Sequence, residues 1–97
     1  MRLIWSPLAV EQISEIAGYI ARDNPIAAEK WVTNIFAMVE RLSEFPESGR
    51  LVPEMRNIMF REIINGNYRV IYKYENSTVS ILTVRHGKQL LPVDEIL

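Results

Sequence analysis

The stretch NYRVIYKYENSTVSILTVRH, from Asn67 to His86, sets Arg69, Lys73, Arg85 and His86 among apolar neighbours, with Arg61 before it and Lys88 just after it. Cations and an imidazole can do two kinds of work. They can stabilise charge on a phosphate and move a proton during bond cleavage, or they can form a charged surface that grips a partner. The ordinary alternative is solvation, since Arg and Lys on an outer sheet face meet water and discourage edge-to-edge pairing. His86 is the sole histidine, and there is no cysteine. Disulfides and thiolate metal sites are therefore excluded, no clustered carboxylates stand at ligand spacing, and neither a metal nor another cofactor is expected.

The elements that must hold these residues follow from periodicity. Arg2 to Ser6 reads as a first strand. Ser6-Pro7 is a helix start, because the hydroxyl caps free N–H groups and Pro at the first helical position loses no bond. Ala9, Ile13, Ile16, Ala17 and Ile20 then form one apolar stripe. Asn24-Pro25 repeats the signal for a second helix, Pro25 to Phe45, which carries Ala28, Trp31, Val32, Ile35, Phe36, Val39 and Leu42. The short connection makes the two an antiparallel hairpin. PESGRLVP, from Pro46, reads as a loop. NIMFREII (Asn57 to Ile64), YRVIYKYE and TVSILTVRH read as strands joined by NGN and NS turns. The tail KQLLPVDEIL has no clear period.

The expected fold is thus α+β, in the order β-α-α-β-β-β. An antiparallel sheet packs on an N-terminal helical hairpin within one domain spanning residues 1–97. The edge to which the first strand adds is open. On the middle strand Tyr68, Val70, Tyr72 and Tyr74 face the helices, and Arg69, Ile71 and Lys73 face away. On the last strand Val79, Ile81 and Thr83 lie with Arg85, and Leu82, Val84 and His86 lie opposite. Apolar groups on both sides imply that the outer face is not simply solvated, and an apolar patch beside charges marks a partner site.

Composition narrows the function classes. The 97 residues have 48% apolar and 24% charged side chains, which suits one globular core. The amino-terminal segment meets Pro7 and Glu11 too early for a signal-peptide core, and no apolar run approaches the roughly 20 residues of a membrane helix. The expectation is a soluble cytoplasmic protein without a membrane partner. The net charge is −1, whereas a free-standing nucleic-acid binder is usually basic. Residues 1–48 carry four cations against seven anions, and residues 49–97 seven against five, so an acidic first half precedes a mildly basic second half.

Taken in order, W-S-P from Trp5, NPIAAEKW from Asn24, FPESGR from Phe45 and YRVIYKYENSTVSILTVRHGK from Tyr68 resemble the RelE/ParE superfamily of type II toxin–antitoxin toxins, often called plasmid stabilisation proteins. The likeness spans nearly the whole chain. It implies an antiparallel sheet on a helical hairpin and one of two activities. RelE-like members are metal-independent, ribosome-dependent endonucleases that cut messenger RNA through the ribose 2′-hydroxyl; ParE-like members poison DNA gyrase. Under the nuclease reading the resemblance maps a phosphate-binding role onto Arg69, a second cation onto Arg61 and a catalytic role onto His86. Glu54 and Glu62 are acidic candidates outside any motif. No Tyr follows Tyr74, however, and the tail lacks a basic cluster for ribosomal RNA. The ending VRHGKQLLP is more like the ParE-like branch. The favoured reading is therefore a gyrase inhibitor with no catalytic residues, whose target-binding surface comprises Arg61, Arg69, Lys73, Arg85, His86 and Lys88.

The resemblance also implies a partner. A ParD-like antitoxin would wrap the toxin, with exposed apolar members of the hairpin, Trp31 and Ile35, lining its groove. The acidic first half would suit an antitoxin segment bearing Lys or Arg. Poor solubility or toxicity is expected when the chain is expressed without its partner. A third option is a non-toxic antitoxin-binding co-repressor.

Overall fold

The structure, a computed structural model, describes residues 1–87, 89 and 91. Strand β1 (Arg2–Trp5) leads into helices α1 (Pro7–Ala21) and α2 (Pro25–Arg41). Strands β2 (Arg50–Leu51), β3 (Phe60–Asn65), β4 (Tyr68–Glu75) and β5 (Thr78–His86) follow. Both helix starts form as their sequences dictate. The Ser6 hydroxyl accepts from the Ala9 N–H at 3.0 Å, and the Asn24 side chain accepts from the Ala27 N–H at 3.1 Å. Ser6 also donates to the Leu82 carbonyl at 2.9 Å, so one side chain both starts α1 and fastens it to β5. Helix α2 ends at Arg41, four residues short of the Pro-based limit at Phe45. The chain there makes a run of tight turns before Pro46.

The five strands form one sheet in the order β1-β5-β4-β3-β2. The β2 to β5 portion is antiparallel, and β1 adds beside β5 in parallel. This settles the edge on which the first strand lies. The segment read as a pure loop contains β2, a two-residue strand too short to leave a periodic signal. Strand β3 starts at Phe60 rather than Asn57. The turns are tight as expected: Gly66 has φ 57°, and Asn76 and Ser77 have φ 52° and 56°. Two successive left-handed residues give the hairpin twist that the right-handed strands require.

Each sheet face has its own core. On the helix side Val70, Tyr72, Val79, Ile81 and Val84 pack with Ala9, Ile13, Ile35, Val39 and Leu42. On the other side Ile71 and Phe60 are buried under Val52, Met55 and Leu91. The outer face is indeed not solvated. Its apolar patch, however, is covered by the chain's own 52–59 segment and Leu91 rather than left open for a partner. Strand β5 keeps to the helix-side core beyond Ile81 because a bulge shifts its register, so that Tyr72 pairs with Ile81 while Ile71 pairs with Thr83. One extra residue reverses the alternation. Val84 therefore shares a face with Val79 and Ile81, and Leu82 packs on the outer core. The strict alternation expected for this strand is corrected accordingly.

Candidate functional site

At the centre of the outer face lies a chain of charges. Ile64 pairs with Arg69 and Glu62 with Ile71 across the β3–β4 ladder, which makes Glu62 and Arg69 diagonal neighbours on one face. The Arg69 Nε donates to Glu62 Oε1 at 2.7 Å, and its Nη2 lies 2.5 Å from the same oxygen. Its Nη1 and Nη2 also form a bidentate pair with Glu54 at 2.7 and 2.8 Å. Glu62 in turn accepts from the Arg50 Nε at 2.6 Å. The Glu62 side chain is 0% exposed and that of Arg69 7%, whereas that of Arg50 is 62% exposed. Two guanidinium groups and two carboxylates balance, which is what allows charges to be buried at all. The bond from Arg69 holds the Glu54 carboxyl below its ordinary range, and the bond to Glu54 holds Arg69 charged.

A second set of bonds fixes the loop that carries Arg50. The buried Tyr72 hydroxyl donates to the Pro46 carbonyl at 2.7 Å and accepts from the Gly49 N–H at 3.0 Å. Arg61 Nη1 donates to the Gly49 carbonyl at 2.8 Å and to the Glu47 carbonyl at 3.2 Å. Gly49 has no alternative here: a Cβ would stand 2.6 Å from the Tyr72 hydroxyl and 2.7 Å from the Glu62 carbonyl oxygen. Burial raises the Tyr72 phenol above its ordinary pKa, so it remains a donor across the physiological range.

The structure distributes the expected site residues unequally. Arg69 lies on the outer face as expected, but it is not open to a target or a phosphate. It is instead buried between two carboxylates, because β3 supplies Glu62 and the overlying segment supplies Glu54. Arg61 is occupied by loop carbonyls. Lys73 pairs with Glu75 at 2.7 Å and stands 5.8 Å from the centre of the Phe60 ring. Arg85 is half-buried opposite Arg69. His86 lies opposite Tyr68, with ring centres 5.6 Å apart, and Tyr68 in turn meets Trp31 at 5.3 Å. Lys88 lies outside the described residues. Ile35, expected to be exposed in a partner groove, is 0% exposed because its helical position points into the core. Trp31 is half-buried against that core.

A cavity of about 270 Å³ opens beside the network, lined among others by Arg50, Glu54, Tyr68, Arg69 and His86. It collects the imidazole and Arg69 at one place. Arg69 arrives there already neutralised, however, with Nε, Nη1 and Nη2 each bonded to a carboxylate. Among the described residues, no group of three or more His, Cys, Asp or Glu side chains could hold a metal ion. Nor is any helix among them long and apolar enough to cross a membrane.

Sequence reasoning left Arg50, Gly49 and Tyr72 without roles and Glu62 without a partner. The signal for Glu62 was present: the NGN turn sets the hairpin register, and that register places residues 62 and 69 on one face. The Tyr72 bonds join positions more than 20 residues apart and leave no local trace.

Comparison with known proteins agrees with this architecture. Residues 3–91 match the family described as the ParE toxin of the type II toxin–antitoxin system parDE. The chain is 37% identical over 92 residues to Y4kP, a candidate toxin of Sinorhizobium fredii, covering 94% of this chain and 93% of that protein. It is 27% identical over 90 residues to toxin RelE2 of Caulobacter vibrioides, covering 92% and 98%. Among solved structures, a chain of a chromosomal ParDE toxin–antitoxin system from P. aeruginosa superposes with a TM-score of 0.74. That match is at 20% identity and covers 91% of this chain and 97% of the other, a likeness of fold. With the family match running from the first strand to the outer core, this chain belongs to the ParE toxin family of type II toxin–antitoxin systems.

Proposed function

We propose that this toxin works by binding proteins: it inhibits DNA gyrase in the cytoplasm and is neutralised by a ParD-like antitoxin. The observation that carries this reading is the state of Arg69. Metal-independent cleavage of RNA needs a cation free to take up charge on the scissile phosphate. The cation best placed for that task is held by Glu54 and Glu62. The other features support the same reading. Gly49, Arg61 and Tyr72 serve the architecture, and the net charge of −1 offers no long-range attraction for ribosomal RNA. The antitoxin follows from family membership, and the solved ParDE system is a relative in fold.

The cavity shared by His86, Tyr68 and Arg69, and the likeness to toxin RelE2, favour the alternative, a ribosome-dependent messenger nuclease. Supercoiling assays separate the two. Purified chain at micromolar concentration should stop gyrase from supercoiling relaxed plasmid and leave cleaved DNA. Unimpaired supercoiling at that concentration removes the gyrase reading.

A further inference from the structure

Strand β1 ends the sheet, and only one of its sides is used. The Arg2 N–H donates to the Ser77 carbonyl at 3.0 Å, and the Ser6 N–H to the Ile81 carbonyl at 2.9 Å. Along a parallel strand, alternate residues turn both backbone groups to the same neighbour. Arg2, Ile4 and Ser6 therefore serve β5, whereas Leu3 and Trp5 turn their N–H and C=O outward. Those four groups have no hydrogen-bond partner among the described residues. The edge of β5 beyond Ile81 is treated differently. There Ser6 donates to the Leu82 carbonyl, and Gln12 accepts from the Val84 N–H.

The surroundings of this bare edge are apolar. Leu3 and Trp5 pack their side chains against the helix-side core. Ile4, paired with Ser80, stands on the outer face and is 39% exposed. Phe36, 44% exposed, lies with its ring centre 5.1 Å from that of Trp5. Arg2 is the only charge in the strand, and neither Lys nor Pro interrupts it. An apolar edge left this way invites pairing.

We infer that β1 pairs antiparallel with β1 of a second copy of this chain. The edge is complementary to itself. With Ile4 on the two-fold axis, Leu3 stands opposite Trp5 of the second copy, and Trp5 opposite its Leu3. All four outward groups of each copy then enter the ladder. The two Ile4 side chains meet at the axis as a non-hydrogen-bonded pair, the kind in which side chains come closest. Other registers are worse. Centring on Trp5 sets Leu3 opposite Pro7, which has no N–H. Centring on Leu3 brings the two Arg2 residues to about 7 Å along the strands. The Ile4 register holds them about 14 Å apart, beyond the Debye length of about 8 Å. Such an isologous pair closes two bare edges at once. It joins two five-stranded sheets into one, with both hairpins on one face and both Arg69 networks on the other. The paired edge is small beside the roughly 1,200–2,000 Å² of a stable interface, so association sets in only at high micromolar concentration. This inference goes beyond the proposed inhibition of gyrase and does not rest on it.

Sedimentation of the purified chain from micromolar to millimolar concentration should show a monomer–dimer equilibrium. Exchange of the Leu3 and Trp5 amides should slow as the dimer forms, while that of Val70 stays constant. Ile4→Lys, a change at an exposed position, sets like charges opposite each other at the axis and should weaken association at least fivefold. Mixing Ile4→Lys with Ile4→Glu should restore it. Ile4→Cys gives a chain with a single thiol. Oxidised glutathione should link two such copies, because the paired Cα atoms stand about 4.5 Å apart, within reach of a disulfide. Ser80→Cys, on the same face but about 14 Å from its counterpart, should stay unlinked. A monomer throughout the concentration range overturns the proposal. So does a dimer that Ile4→Lys leaves intact, or equal linking of the two cysteine variants. Slow exchange at Leu3 and Trp5 that does not depend on concentration also overturns it, since the edge would then be closed without a second copy.

Discussion

At the scale of single residues, the groups whose types suggest chemistry also hold the outer face together. Arg69 shows this most directly. Arg69→Met would leave Glu62 with Arg50 alone and Glu54 without its bidentate partner. Removing one member of a buried ion pair costs about 3–5 kcal/mol, and the expected result is a matching fall in unfolding free energy by urea titration. Glu54 gives a pH signature. Its carboxyl is held below its usual pKa, so its contribution to stability is present above the unfolded value, near 4.5, and is lost as pH falls through the lower folded value. Glu54→Gln should therefore be less stable than the parent at pH 7, and the gap should close with acidification below pH 4.5. A gap that persists unchanged into acid would show that the carboxylate charge plays no part. Tyr72→Phe keeps the ring but strands the Gly49 N–H, for which about 1–3 kcal/mol is expected. Chemical denaturation measures it.

At the scale of elements, what the sequence disclosed depended on how local the signal was. Ser6-Pro7 and Asn24-Pro25 start helices where they should, because caps act within three residues. The β4 faces were legible because strict alternation holds there: Val70 and Tyr72 meet the helices, and Ile71 does not. On β5 the same rule failed at the bulge, where an extra residue moves Val84 to the helix side. The bulge has no composition mark of its own, since its compensation comes from α1. Gln12 Oε1 accepts both the Thr83 hydroxyl at 2.8 Å and the Val84 N–H at 2.8 Å, across more than 70 residues of chain. Gln12→Leu should therefore speed exchange of the Val84 amide by an order of magnitude or more while leaving Val70 protected. Equal loss of protection throughout the sheet would instead mean that Gln12 supports the whole fold. The candidate site was legible in its residue types but not in their state. Periodicity placed Arg69 on the outer face, yet it could not show that the 52–59 segment folds back and brings Glu54 down upon it.

At the scale of the whole molecule, one thin sheet carries two cores, and the charge network shares the outer face with the smaller of them. The helix-side core resembles that of any two-layer domain. The outer core is small, and the four-membered charge network closes it at one side. The charge balance supports the proposed protein partners: the network is neutral and the chain carries a net charge of −1.

Translating ribosomes decide whether Arg69 is an architectural cation, as proposed, or a reacting group. Primer extension should be run on a messenger translated in vitro with the chain added stoichiometrically. An intact transcript with no stops at the ribosomal A site is expected. Discrete A-site cuts that disappear in a folded Arg69→Lys or His86→Ala variant would contradict it.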